Sequence, residues 1–136
     1  MITVTKKFTF DAAHRLVGHK GACKHLHGHT YSAEVEISGP LDSLGMVIDF
    51  GIVKEKIGEW IKQKWDHNTI LNVIDPLVDR LFFEEKKPFV MTCNPTAENM
   101  SRELLHAAVS ELPMGYNIVR VRIYEGENSW AEVINK

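Results

Sequence analysis

An α+β domain, with an antiparallel four-stranded sheet carrying two helices on one face, is the fold class this sequence predicts. Three observations predict it. Apolar and polar residues alternate in two stretches near the start of the chain and two near its end. Two stretches between them repeat their apolar residues at helical spacing. At 136 residues the chain has room for one core and no second, so 1–136 is one domain.

The first strand covers Ile2 to Phe10. Ile2, Val4, Phe8 and Phe10 share one parity, Thr3, Thr5, Lys7 and Thr9 the other, and Lys6 alone breaks the pattern. The same parity carried onward puts Ala12 and His14 on the apolar side. In the second strand, Thr30 to Ser38, Tyr31, Ala33, Val35 and Ile37 face one way and Thr30, Ser32, Glu34, Glu36 and Ser38 the other. His27 and His29 share the parity of Tyr31. The two strands form an antiparallel pair joined by the loop Val17 to Lys24, and Gly39-Pro40 ends the second.

Asp49 is suited to cap a helix running to about Trp65, with Phe50, Val53, Ile57, Trp60 and Ile61 on its apolar face. In Asp75 to Lys87, the spacing of Leu77, Val78, Leu81 and Phe82 fits a short helix or a packed loop, with a short strand at Phe89 to Thr92. Thr96 caps the second helix, Glu98 favours its first turn, and Ala97, Met100, Leu104, Leu105, Ala108 and Leu112 form its buried side until Pro113 stops it. His106, mid-helix, reads as structural. Val119, Val121 and Ile123 mark a third strand. Glu125-Gly126-Glu127-Asn128 turns the chain into a fourth, Ser129 to Ile134, where Trp130 is expected to pack. A sheet with open edges and one covered face calls for pairing with further copies, so a homo-oligomer is expected.

Net charge is −2 and the pI near 6.4, with no long basic run, which speaks against a nucleic-acid surface. A local cluster of Arg15, Lys20 and Lys24 still suits a polyanionic small molecule. No apolar stretch reaches membrane-spanning length, and Met1 to Lys7 lacks the apolar centre of a signal peptide, so no membrane partner and a cytoplasmic location are expected. The two cysteines, far apart in such a chain, read as free thiols.

Five of the seven histidines, His14, His19, His25, His27 and His29, crowd into one short interval beside Cys23. His27 and His29, two apart on a strand, project to one side, and His14 leans to that same covered face from the strand opposite. Three imidazoles are the ligand count of a catalytic zinc site, which keeps one position open. The alternative is a set of ordinary polar loop histidines. Cys23 fits either a fourth ligand closing a structural site or a base or nucleophile beside the metal. Asp66-His67 at the first helix's end suits an acid/base pair, or a plain capping turn. Glu125, ending a strand at a turn, reads as solvated by default.

Several motifs together resemble the 6-pyruvoyltetrahydropterin synthase family: Phe10-Asp11-Ala12-Ala13-His14-Arg15, Cys23 with His27-Gly28-His29, Asp66-His67-Asn68 before Leu71-Asn72, Asn94-Pro95-Thr96-Ala97-Glu98-Asn99, and Glu125 before Ser129-Trp130-Ala131. The likeness is closer to the bacterial 6-carboxytetrahydropterin synthases of the queuosine (7-deazaguanine) pathway. The resemblance implies that His14, His27 and His29 bind catalytic zinc, that Cys23 is the general base, that Asp66 and His67 transfer protons, and that Glu125 anchors a pterin ring. It implies the T-fold (tunnelling fold), a homohexamer built as a dimer of trimers with sites between subunits, and 7,8-dihydroneopterin triphosphate as substrate. The carboxy branch releases acetaldehyde and triphosphate; the pyruvoyl branch, the alternative, releases triphosphate alone. A non-catalytic structural zinc module is the third reading. The chain departs from the family pattern at Gly126, where a threonine is frequent, so a hydroxyl contact near the ring is either missing or replaced by Thr96. The segment Val73 to Thr92 is longer than in compact members.

Overall fold

The computed structural model describes Met1–Lys136. Strands β1 (Thr3–His14) and β2 (His27–Ser38) pair antiparallel along their whole length, from Thr3 opposite Ser38 to His14 opposite His27. Both run past the ends expected for them, so the histidines sit on strands, where alternation fixes their side. Phe10, Ala12 and His14 are buried and Thr9 and Asp11 exposed, as the parity requires. Between His27 and His29, a Cβ on Gly28 would stand 3.2 Å from the Ala12 carbonyl oxygen, so any side chain there would press on β1.

Strand β5 (Asn117–Glu125) pairs with the other edge of β2, with a register shift between Glu36 and Ile37, and β6 (Ser129–Ile134) pairs with β5. The four expected strands are thus present and antiparallel. Two more join on the far side of β1: β3 (Asn68–Asn72), an unexpected strand parallel to β1, and β4 (Phe89–Met91), the short strand expected at Phe89 to Thr92, parallel to β3. The sheet therefore has six strands, in the order β4-β3-β1-β2-β5-β6, rather than four. The α+β class is unchanged. The region 66–72 carries no strand signal because Ile70 and Leu71 are both fully buried, one on each face. A parallel strand covered on both sides has no alternation to display.

The first helix is composite: α1 (Phe50–Val53), a π-helical turn over Lys54–Gly58, and α2 (Glu59–Lys64), with helical backbone throughout. Asp49 caps it, accepting from the Gly51 amide at 2.7 Å. Its buried residues, Val53, Ile57, Ile61 and Trp65, recur every fourth position. On a regular α-helix that spacing drifts by about 40° per step, and the wider π turn offsets part of the drift. Phe50, expected on this face, is instead 49% exposed, lying before the face begins, and Trp60 packs at its border, its ring 5.0 Å from Trp65.

Asp75 to Lys87 contains the short helix α3 (Leu77–Leu81), none of whose residues is buried, and leaves Phe82 and Phe83 exposed. Helix α4 (Ala97–Glu111) is capped by Thr96, which accepts from the Asn99 amide at 3.1 Å, and buries the expected residues. His106 is exposed. The core lies between one sheet face (Phe10, Tyr31, Val35, Val121, Ile123) and the helices (Ile57, Trp65, Met100, Leu104). Trp130, expected to pack, is 51% exposed. No helix is long and apolar enough to cross a membrane.

Candidate active site

At the end of the β1–β2 ribbon, His14, His27 and His29 bring one ring nitrogen each to within 4.8 Å of one another. Two of the three rings are locked by backbone carbonyls. His14 Nδ1–H donates to the Pro95 carbonyl at 2.6 Å, and His27 Nδ1–H donates to the His25 carbonyl at 2.7 Å. In a neutral imidazole a proton on Nδ1 leaves a bare lone pair on Nε2. The two Nε2 atoms are nevertheless only 3.1 Å apart. With both Nδ1 protons engaged, two lone pairs face each other, an arrangement that a cation between them makes favourable. His29 Nε2 is buried without any hydrogen-bond partner, 3.9 Å from Glu125 Oε2. A converging set of two bare nitrogens and one orphaned buried nitrogen fits a metal ion.

Burial is the largest influence on His14 and pulls its pKa below the ordinary 6.5, against the opposing pull of the Pro95 carbonyl and Glu125. The neutral, ligand-competent form is therefore favoured. Tyr31, stacked on Phe10 beneath the histidines, has its phenol pushed well above its ordinary value by burial, with Glu125 and Cys23 adding to the effect.

A cavity of about 520 Å³ opens beside the histidines, lined among others by His14, Cys23, Thr96, Glu125 and Trp130. The fold thus places six of the eight singled-out residues at one place: His14, His27, His29, Cys23, Thr96 and Glu125. Glu125 arrives through register, opposite Tyr31 on β2, two residues from His29. Gly126, which follows it, has φ +73, a left-handed conformation that a β-branched residue adopts only with strain. Cys23 lies on the 3₁₀ turn Ala22–Lys24 and stands outside the group of close-set ligand atoms. Trp130 borders the cavity but stands opposite Tyr124 in the β5–β6 register, so its ring lies on the outer sheet face, 5.3 Å from the Tyr124 ring. Arg122 lies 5.0 Å over the Trp130 ring.

Asp66 and His67 are not in this cavity. His67 Nδ1 lies 3.0 Å from Asp66 Oδ1, which accepts from the Asp11 amide at 3.0 Å, and Asp11 in turn accepts from Thr30 Oγ1 at 2.6 Å. Asp11 and Thr30 have the parity opposite to His14 and His29, so this cluster belongs to the outer face of the ribbon. There it borders a shallow depression lined by Asp11, Gly28, Thr30 and His67. His67 has φ 55, in the left-handed region, and its side chain is 76% exposed. Such a conformation costs a bulky residue roughly 1–2 kcal/mol, and strain of this kind concentrates at functional positions. Partial burial works against the charge of Asp66, but the Asp11 amide, His67 and Lys86 outweigh it and hold the carboxyl below its ordinary value.

A strand ribbon bearing three inward histidines able to hold a metal ion, with a thiol and a carboxylate across one cavity, defines an α+β protein with a candidate metal site. The chain belongs to the 6-pyruvoyl tetrahydropterin synthase family, whose model matches residues 3–136. Relatives named 6-carboxy-5,6,7,8-tetrahydropterin synthase include one from Rickettsia typhi, 38% identical over 98% of this chain and 100% of its own, and one from Haemophilus influenzae, 34% identical over 97% and 98%. Among solved structures, an uncharacterized protein from Wolinella succinogenes superposes with TM-score 0.86 at 24% identity, covering 99% of this chain and 98% of its own. The Caenorhabditis elegans 6-pyruvoyl tetrahydropterin synthase does so with TM-score 0.75 at 22% identity, covering 99% and 96%. The fold is the T-fold.

Proposed function

We propose that this chain is a zinc-dependent 6-carboxy-5,6,7,8-tetrahydropterin synthase, a carbon-carbon lyase that converts 7,8-dihydroneopterin triphosphate to 6-carboxytetrahydropterin with release of acetaldehyde and triphosphate, in queuosine (7-deazaguanine) biosynthesis. The observation that carries the reading is the convergence of three imidazole nitrogens beside a cavity that also holds Cys23 and Glu125. Relatives at 33–38% identity carry the carboxy name, which favours that branch over the pyruvoyl one.

His14, His27 and His29 hold the zinc, and bound there it supplies Lewis-acid polarisation of the hydroxyls of the substrate's side chain. Glu125 accepts two parallel N–H bonds from the amino-pyrimidinone edge of the pterin and so orients the ring, with charge-assisted strength. Thr96 supplies a hydroxyl at the cavity wall. Cys23, as thiolate, takes a proton from the side chain beside the metal. Asp66 fixes the His67 ring, which exchanges a proton on the other side of the substrate.

The outer-face position of Asp66 and His67 supports a site completed by another copy of the chain, as in a homohexamer of two trimers. Strands β4 and β6 leave two unpaired sheet edges for such pairing. The deciding experiment supplies 7,8-dihydroneopterin triphosphate to the zinc-loaded protein and identifies the products. Acetaldehyde with 6-carboxytetrahydropterin is expected. Triphosphate with 6-pyruvoyltetrahydropterin and no acetaldehyde would make the chain a pyruvoyl synthase, and absence of turnover would leave the zinc structural.

A further inference from the structure

Asn94, between β4 and α4, makes contacts that bear on both the histidine cluster and the thiol. Its side-chain Oδ1 accepts from the Val17 amide at 3.0 Å and from Asn72 Nδ2 at 3.1 Å, while its Nδ2 donates to the Val17 carbonyl at 2.9 Å. Its own carbonyl accepts from the Thr96 amide and from Asn99 Nδ2, both at 2.9 Å. Only one orientation of the amide satisfies these partners, since a flip would set oxygen against the Val17 carbonyl and N–H against two donors. To Val17 it therefore behaves as a strand neighbour would, giving one acceptor and one donor to a single residue.

This grip controls two groups of the site. The residue that follows, Pro95, presents the carbonyl that holds His14 Nδ1. The residue before Val17, Leu16, donates its amide to the Cys23 carbonyl at 2.8 Å and so closes the loop that carries the thiol. Arg15 adds a second tie nearby, its Nε 2.7 Å from the buried Asp75 carboxylate. From these contacts we infer that Asn94 is a positioning residue, which sets His14 against His27 and holds the Cys23 loop at the cavity through Val17 and Leu16. No sequence spacing announces this role. The inference rests on the metal-site reading only for its His14 half.

The test compares Asn94→Ala and Asn94→Asp with Asn135→Ala as a control. Asn135 makes an analogous side-chain bond to the Ile118 carbonyl, across β5 and β6. In the metal-free full chain, exchange of the Leu16 amide is expected to accelerate by about ten-fold in Asn94→Ala, with amides in the middle of α4 unchanged. Zinc affinity, measured by competition with a chromophoric chelator, is expected to fall by about ten-fold or more. Asn94→Asp keeps the acceptor but turns a carboxylate oxygen on the Val17 carbonyl, so it shows the same loop loosening; it decides the matter if the alanine variant does not fold. Asn135→Ala is expected to move neither readout. Leu16 exchange within two-fold of the parent chain in both Asn94 variants overturns the inference. If the parent chain takes up no zinc, the metal reading has failed, and Leu16 exchange alone then decides the role of Asn94.

Discussion

The two faces of one β-ribbon carry two unlike polar clusters. On the inner face His14 and His27 have their Nδ1 atoms fixed by carbonyls of the same chain, and His14 is buried. On the outer face Asp66 and His67 are tied to each other and to the Asp11 amide, but His67 is largely exposed and held at φ 55. The inner cluster is preorganised to receive something that replaces lost solvation, since its nitrogens point at one another. The outer cluster is poised in solvent and has no cavity of its own to serve, only a shallow depression. On the proposed reading, the strained, exposed Asp66–His67 pair and the cavity that lacks it are complementary halves.

The largest expected effect breaks the inner half. His29→Ala removes the orphaned nitrogen, and zinc uptake is expected to drop to background with kcat/KM falling by at least about 10³-fold. Retained stoichiometric zinc, measured by atomic absorption after gel filtration, would show that the cluster is not the metal centre. Next comes the contrast between the thiol and the outer pair. Cys23→Ala and His67→Ala are each expected to lower kcat by about 10²–10⁴-fold while zinc content stays that of the parent. Loss of zinc in Cys23→Ala would instead make the thiol a ligand. The cobalt-substituted parent chain sharpens that point, because a thiolate ligand gives intense charge-transfer absorption and the three-nitrogen site does not.

Much of the inner half is legible in the sequence. Two independent alternations, one through Phe10 and one through Tyr31, put three histidines on one side before any contact is known. The caps Asp49 and Thr96 are equally legible, because capping depends on a few neighbouring residues. The outer half is not. Its place follows from β3 pairing in parallel with β1, Ala12 beside Asn68, a contact between segments far apart in the chain whose strand is covered on both faces. Phe50 fits the spacing of its helix but lies before the buried face begins, whereas Trp130 stands opposite Tyr124, on the sheet face away from the core. The carbonyl of Pro95 and the side chain of Asn94 act through backbone atoms, on which residue identity leaves little mark.

A smaller effect sets His14 apart from the carboxylates by pH. A histidine whose folded pKa lies below its ordinary 6.5 contributes stability that is whole above that pH and is lost as pH falls through the folded value. Carboxyls held below their ordinary 3.8, as Asp66 on the outer face and Asp75 beside Arg15 are, contribute stability lost only as pH falls further, below that figure. Metal-free protein is therefore expected to lose stability in two windows, first below pH 6.5 and then below 3.8, followed by urea unfolding across pH. His14→Gln should remove the first decline and leave the second. A decline below pH 6.5 that survives in His14→Gln would assign it to other groups.

The relation between the two halves is tested most directly by mixing. Cys23→Ala retains the outer pair and lacks the thiol; His67→Ala retains the thiol and lacks the outer histidine. Each is dissociated, mixed with the other and reassembled with zinc, and turnover of 7,8-dihydroneopterin triphosphate is compared with that of either variant alone. If the outer pair of one copy completes the pocket of another, the mixture regains activity that neither variant has. Mixed oligomers that form, bind zinc and stay as inactive as their parents would contradict the account.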